Sequence, residues 1–417
     1  MKLITTSAIA LVFAISAAPA AAQYGAPAAQ QPTQSKPAEA AQPQVKINPS
    51  KGAAKALSEL QAAVQKNETA SIPAKLAAAQ AVATTKDDKY LVGRLQLQAA
   101  VAAKDNAAIN AAIDAIAASN FLDGASVSKF YVGLGGTYYN EKQYAQAATA
   151  YQRALALDPA NIEAATMIGD ALSGAGKKTE ALAAYQRLIQ ASAAKGQKPD
   201  EPLFKRAVAA AYEAQSPASV ELARQWVAAY PSAGSWRDAV AIYRNLNHPD
   251  VEGTISLYRL LHAAGALNSG GEYAQYARAA ADQNNFNEAQ IAVDAGVAAK
   301  LIDPAKPEYS DLVQGLKNKP KASKADLAEA TKTAQSGMAL LRIGDRYAAM
   351  GDYTKAVELY RMSMGKPGVD AGVANLHIGI ALARAGDKAG ATTALNAVTG
   401  PRADIAKFWL TYLNTKA

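Results

Sequence analysis

"SKFYVGLGGTYYNEKQYAQAATAYQRALALDPAN", residues 128–161, is the stretch from which the fold is read. Tyr131, Leu134 and Tyr138 lie three and four residues apart, the spacing that puts side chains on one face of an α-helix, and Ala147, Tyr151 and Ala154 repeat it after a polar break. Gly135 sits within the first run and Pro159 closes the second, so the segment reads as helix, turn, helix. Shifted by 34 residues, the pattern returns as Ile168, Gly169, Leu172, Ala181, Tyr185 and Leu188. It returns again as Leu340, Ile343, Gly344, Tyr347, Ala356 and Tyr360, and 35 residues later as Ile378, Gly379, Leu382, Ala391 and Leu395.

The repeated small residues have a steric purpose. Gly135, Gly169, Gly344 and Gly379 fall on a first helix where a Cβ would hold off its partner. Ala147, Ala181, Ala356 and Ala391 are the matching small sites on the second. "SGAGKKTEAL", residues 173–182, has the composition of a phosphate-binding loop. It lacks the glycine five residues before Gly176, where Ala171 stands, and the Ser or Thr after Lys177, where Lys178 stands. Gly176 instead shares its repeat position with Gly351 and Gly386, the turn between helices, where glycine takes the left-handed conformation that ends a helix.

These positions resemble the tetratricopeptide repeat (TPR), strongly for residues 128–195 and 337–405. The resemblance implies an all-α fold, a right-handed α-solenoid of TPR and TPR-like helical hairpins in which each repeat buries its face on its neighbour. Divergent copies are expected around Tyr273, Tyr276, Ala277, Ala289 and Val293 and around Ala207, Trp226 and Pro231. Residues 51–127 are expected to add divergent helical hairpins, with further TPR-like repeats over 196–302. A linker is expected at 303–327, where prolines and lysines interrupt the helical period. The C-terminal TPR pair, 328–417, is expected to end in a capping helix that covers the open end with Phe408, Trp409 and Leu413.

In such an array, the resemblance implies, first-helix positions 2, 5, 9 and 12 line a concave groove. In the central pair these are Lys129, Val132, Gly136 and Tyr139, then Glu163, Thr166, Asp170 and Ser173, a polar lining suited to an extended peptide or a sugar chain. In the C-terminal pair they are Met338, Leu341, Asp345 and Ala348, then Val373, Leu376, Ile380 and Ala383, an apolar lining suited to a helix or to the array's own last helix. TPR arrays that grip a free C-terminal carboxylate present Lys, Asn and Arg at these positions, and this sequence does not.

Lys2, the apolar run "LITTSAIALVFAIS" and "AAPAAAQ" have the form of a signal peptide, residues 1–22, cleaved after Ala22. This predicts an exported, periplasmic or secreted protein with no membrane span. Residues 23–50, rich in Gln, Pro and Ala, read as a disordered tether. There is no cysteine, so thiolate chemistry, disulfides and a lipid-modified cysteine are excluded. The charge of 43 − 35 = +8 is mild for 417 residues and its lysines are scattered, which argues against nucleic acid as a partner.

Motifs for chemistry are sparse. The three histidines, His248, His262 and His377, have no second histidine at helical spacing, and HExxH and nucleophile-elbow motifs are absent. The G-D pairs at 169–170 and 344–345 lack the alternating acids of a calcium loop. No catalytic residue, metal site or cofactor is expected, and His377, between Leu376 and Ile378, reads as a packed histidine. The sequence thus points to a non-enzymatic envelope scaffold that binds a protein or peptide through its groove. The alternatives are a binding module for wall or exported polysaccharide and, more weakly, an enzyme in the middle region with Trp226, Trp236 and His262.

Overall fold

The computed structural model of the chain describes residues 47–416, all of whose regular structure is helical. The expected signal peptide and the tether up to residue 46 lie outside the described residues. No helix among the described residues is long and apolar enough to cross a membrane. The chain divides into two compact units after Gln190.

The first unit is built from α1 (Ala54–Gln65), α2 (Ile72–Val82), α3 (Lys86–Ala103), α4 (Asn106–Ala118), α5 (Gly124–Asn140), α6 (Tyr144–Leu157), α7 (Ile162–Gly174) and the larger part of α8 (Lys178–Ala194). Residues 47–50 are not free tether. Ile47 packs on the core around Tyr90, Ile113 and Tyr131, and the amides of Asn48 and Ser50 donate to Asp87 and Asp88 at 2.7 and 2.8 Å. Asp88 caps α3 in a reciprocal box with Thr85.

Each hairpin closes on its small residues. A Cβ on Gly135 would lie 2.5 Å from the Tyr151 ring, and one on Gly169 would lie 2.3 Å from Tyr185. The glycine thus leaves the slot that a second-helix aromatic fills. Ala147 and Ala181 are fully buried in the same interfaces. The turn glycine is real at Gly176, with φ of 76°, while Lys104 and Lys142 take the same left-handed conformation in earlier hairpins.

The second unit contains α9 (Glu201–Glu213), α10 (Ala218–Ala229), α11 (Ala233–Asn247), α12 (Val251–Ala263), α13 (Gly270–Asp282), α14 (Phe286–Ala298), α15 (Pro307–Lys317), α16 (Lys324–Thr333), α17 (Gly337–Ala349), α18 (Tyr353–Met364), α19 (Ala371–Ala385), α20 (Lys388–Asn396) and α21 (Ala403–Thr415). The expected linker at 303–327 holds α15 and the first turn of α16, because Pro307 occupies the first helical position, where it removes no hydrogen bond.

The last helix also departs from the expected end cap. α21 folds back across α10, α12 and α19. Trp409 Nε1 donates to the Ser256 carbonyl at 3.2 Å, the Tyr412 hydroxyl donates to the Ala263 carbonyl at 3.2 Å, and Phe408 lies edge-on to Tyr243. Ile405, Phe408, Trp409, Tyr412 and Leu413 are all buried, too much apolar surface for a helix that covers only one neighbour. Contacts between sequence neighbours alone therefore do not describe this unit. Its end returns to its beginning.

Candidate functional site

The polar lining expected on the central pair maps to one face of α5 and α7. Lys129 and Glu163 are exposed, and Val132, Gly136, Tyr139, Thr166, Asp170 and Ser173 are half-buried. Their surroundings differ. Val132 packs into two apolar clusters of the unit. The Thr166 hydroxyl donates back to the Ile162 carbonyl at 2.9 Å, and Asp170 accepts from the Tyr185 hydroxyl at 2.6 Å. Tyr139 lies edge-on to Tyr144, with ring centroids 5.3 Å apart.

Burial raises the Tyr151 hydroxyl above its ordinary pKa, and Tyr139, Asp170 and Glu163 raise it further. A Cβ on Gly136 would lie 3.9 Å from that hydroxyl, so it sits beneath the middle of the face. Lys129 and Ser173 lie toward its ends. The face offers carboxylate acceptors, an aromatic edge and the Val132 methyls, a combination suited to the amides and side chains of an extended segment.

The apolar lining expected on the C-terminal pair is not an open groove. Leu341, Asp345, Ala348, Val373, Leu376, Ile380 and Ala383 are all buried, and Met338 packs on the same core. α14 lies against α17 and α21 against α19, so the unit's own helices take up this face. Apolar side chains on both helices leave it no stable solvated state. In the middle region, Trp226 and Trp236 are buried core residues, and His262 packs against the Tyr273 and Tyr276 rings.

A group of charges that the sequence reading did not assemble is buried in the second unit. Arg259 of α12 makes a two-pronged ion pair with Glu288 of α14, Nε to Oε1 and Nη2 to Oε2, both at 2.7 Å. Tyr276 and Asn285 complete the Glu288 carboxylate at 2.7 and 2.8 Å. Asp345 of α17 accepts from the Tyr360 hydroxyl at 2.8 Å, lies 2.8 Å from His377 Nδ1 and has Arg259 Nη2 at 3.4 Å. Glu252, at the start of α12, faces His377 Nε2 at 3.6 Å.

The electrostatics follow from burial. Desolvation works against the charge on Arg259, yet the Glu288 and Asp345 carboxylates hold its pKa well above the ordinary value. Desolvation would raise Asp345, but His377 and Arg259 outweigh it and hold the carboxyl at about 2. Glu252 is raised, by burial first, with Asp345 adding to it and His377 opposing. The sequence did carry a signal for this group. Arg259 and His377 are titratable residues inside the largely apolar runs "ISLYRLLHAAG" and "NLHIGIAL", where a charge survives only with a partner.

The Tyr–Asp contact recurs in register. Asp345 meets Tyr360 as Asp170 meets Tyr185, each pair fifteen residues apart. A family model described as tetratricopeptide repeat matches residues 128–161, and a second model of the same description matches 163–192. No curated protein matches the chain. Among solved structures, the TPR2AB domain of yeast Sti1 in its pHSP90 complex is 13% identical over 70% of this chain and 99% of its own, with a TM-score of 0.27. The APC/C hetero-tetramer Cut9-Hcn1 is 14% identical over 78% of this chain and 63% of its own, with a TM-score of 0.23. Residues 128–192 therefore hold two tetratricopeptide repeats in tandem, and the glycine-to-tyrosine packing of Gly135 and Gly169 returns at Gly344.

Proposed function

We propose that this chain is a non-enzymatic scaffold that is exported to the cell envelope and holds an extended segment of a partner protein on the α5/α7 face. The observation that carries this reading is the row of polar side chains, Tyr139, Glu163, Asp170 and Ser173, left at the surface of helices whose other faces are sealed in the core. Carboxylates there accept backbone amides of the segment, and Val132 and Tyr139 meet its side chains. Tandem repeats of the TPR family and a peptide-sized polar face agree with this role.

The test is crosslinked capture from envelope extract with the mature chain beginning at Gln23. A Tyr139→Ala/Glu163→Lys/Ser173→Ala variant changes the face and leaves the Asp170–Tyr185 hydrogen bond intact. Loss of most of the captured partner supports the reading, and equal recovery by variant and wild type sinks it. Cell fractionation with N-terminal sequencing addresses export. Full-length chain retained in the cytoplasm would remove the envelope from the proposal and leave the binding face standing.

A further inference from the structure

The Arg259 guanidinium is matched by the Glu288 carboxylate in a two-pronged pair. Asp345, 3.4 Å from Arg259 Nη2, and Glu252, 3.6 Å from His377 Nε2, set two further carboxylates beside this pair and a histidine inside the protein. The Nε2 atom of His377 is buried and has no hydrogen-bond partner, and the residue is 1% exposed. A buried imidazole nitrogen normally finds a partner. This one faces the Glu252 carboxylate at 3.6 Å, too far for a hydrogen bond.

We propose that Glu252, Asp345 and His377 form a site for one divalent transition-metal ion of the zinc type. Nε2 of His377 and the Glu252 carboxylate bind the ion directly. The 3.6 Å between them is close to the roughly 3.4 Å that separates two ligands of a tetrahedral ion with bonds of about 2.1 Å. Asp345 lies on the far side of the ring, 2.8 Å from Nδ1. It holds the imidazole in the tautomer that leaves Nε2 free for metal, as a carboxylate behind a metal-bound histidine does. One donor atom from each of the three residues lies within 4.8 Å of the others.

Charge and access agree with the donors. A divalent ion adds positive charge beside Glu252 and Asp345, whose arginine neighbour Arg259 is already shared with Glu288. A small cleft lined by Glu252, Asp345, Arg259, Glu288, Gln283 and Arg342 has room for about one water beside the two carboxylates. Imidazole with carboxylate selects zinc or a neighbouring transition metal over calcium and magnesium, which prefer all-oxygen sites. The ion would join α12 to α19, whose histidine is held from behind by Asp345 of α17.

The test uses the full mature chain, metal-free, titrated with zinc. The three histidines make nitrogen-resolved NMR of the imidazoles decisive. The expected result is saturation at one ion per chain, with only the His377 ring shifting and Nε2 taking the metal-bound value. Glu252→Gln, at the cleft mouth and similar in shape, is expected to weaken binding by about 10-fold or more. Circular dichroism checks that this variant is folded, and the wild-type NMR result stands whatever the variant does. No saturable binding at about 1 mM zinc, a Kd far weaker than structural sites show, overturns the proposal. So does a shift confined to His248 or His262, or an affinity unchanged in folded Glu252→Gln.

Discussion

At the scale of single residues, the fold rests on atoms that are missing. Gly169 gives up its side chain so that the Tyr185 ring can lie on the backbone of α7, and the same exchange pairs Gly135 with Tyr151 and Gly344 with Tyr360. Gly315, by contrast, has nothing within 4 Å of where a Cβ would stand, although it too lies within a helix. The two substitutions by alanine should therefore move stability in opposite directions. Gly169→Ala forces the ring and the helix apart and is expected to cost about 1–3 kcal/mol. Gly315→Ala removes the flexibility of glycine from a helix interior and is expected to add roughly 0.5–1 kcal/mol. Thermal and urea unfolding of the two variants checks the pair, and a loss at both positions would deny the steric account. These glycines are also why the strong repeats were legible in the sequence. The slot needs one residue type, so it recurs at a fixed interval. The left-handed turn residue is less demanding. Lys104, Gln215 and Asn284 occupy it in divergent hairpins, which so lost their mark, and Lys142 does so even within a strong repeat.

At the scale of elements, helix starts and chain entry are decided by carboxylates. Asp88 closes the N-terminus of α3 and also accepts from the Ser50 amide, so a single side chain both caps a helix and fixes the segment that enters the fold. Burial would raise its pKa, but the amides of Ser50 and Thr85 outweigh that and hold it at about 2. A carboxyl whose folded pKa is depressed adds stability that is fully present above its unfolded value, about 3.9, and is lost as pH falls through about 2. For Asp88 the amount is roughly 2 kcal/mol. Asp88→Asn should lower the hydrogen-exchange protection of α3 by about that much near neutral pH, and the difference should vanish toward pH 2. A difference that persists undiminished in acid would assign the effect to lost shape, not lost charge. The reading of residues 23–50 as tether missed this anchor because the partner, Asp88, lies 38 residues away and the segment itself carries no periodicity.

At the scale of the molecule, the two units hold together by different logics. The first stacks hairpin on hairpin in chain order, so its stability is close to a sum of neighbouring contacts, and amide protection should grade from its ends inward. The second is closed by α21, an occupant the sequence had suggested for the apolar C-terminal lining, and by the charges that join α12 to α14 and α17, which skip along the chain and leave no mark in a repeat pattern. Periodicity shows which residues face a neighbour. It does not show which distant helix that neighbour is, and so Asp345 and Leu341 were read as groove lining when they are core. A unit closed in this way should unfold as one body. All three tryptophans, Trp226, Trp236 and Trp409, lie in it, so their fluorescence reports its unfolding alone. Arg259→Met strands Glu288 and Asp345 without their cation and is expected to destabilise the unit by about 3–5 kcal/mol. Adding Glu288→Gln keeps the hydrogen-bonding shape around Tyr276 and Asn285 while removing one stranded charge. The double variant should therefore regain about 1 kcal/mol or more over the sum of the single losses. If the two losses simply add, the pair is not coupled. Closure then rests on the apolar contacts of α21, and the charges are passengers in it.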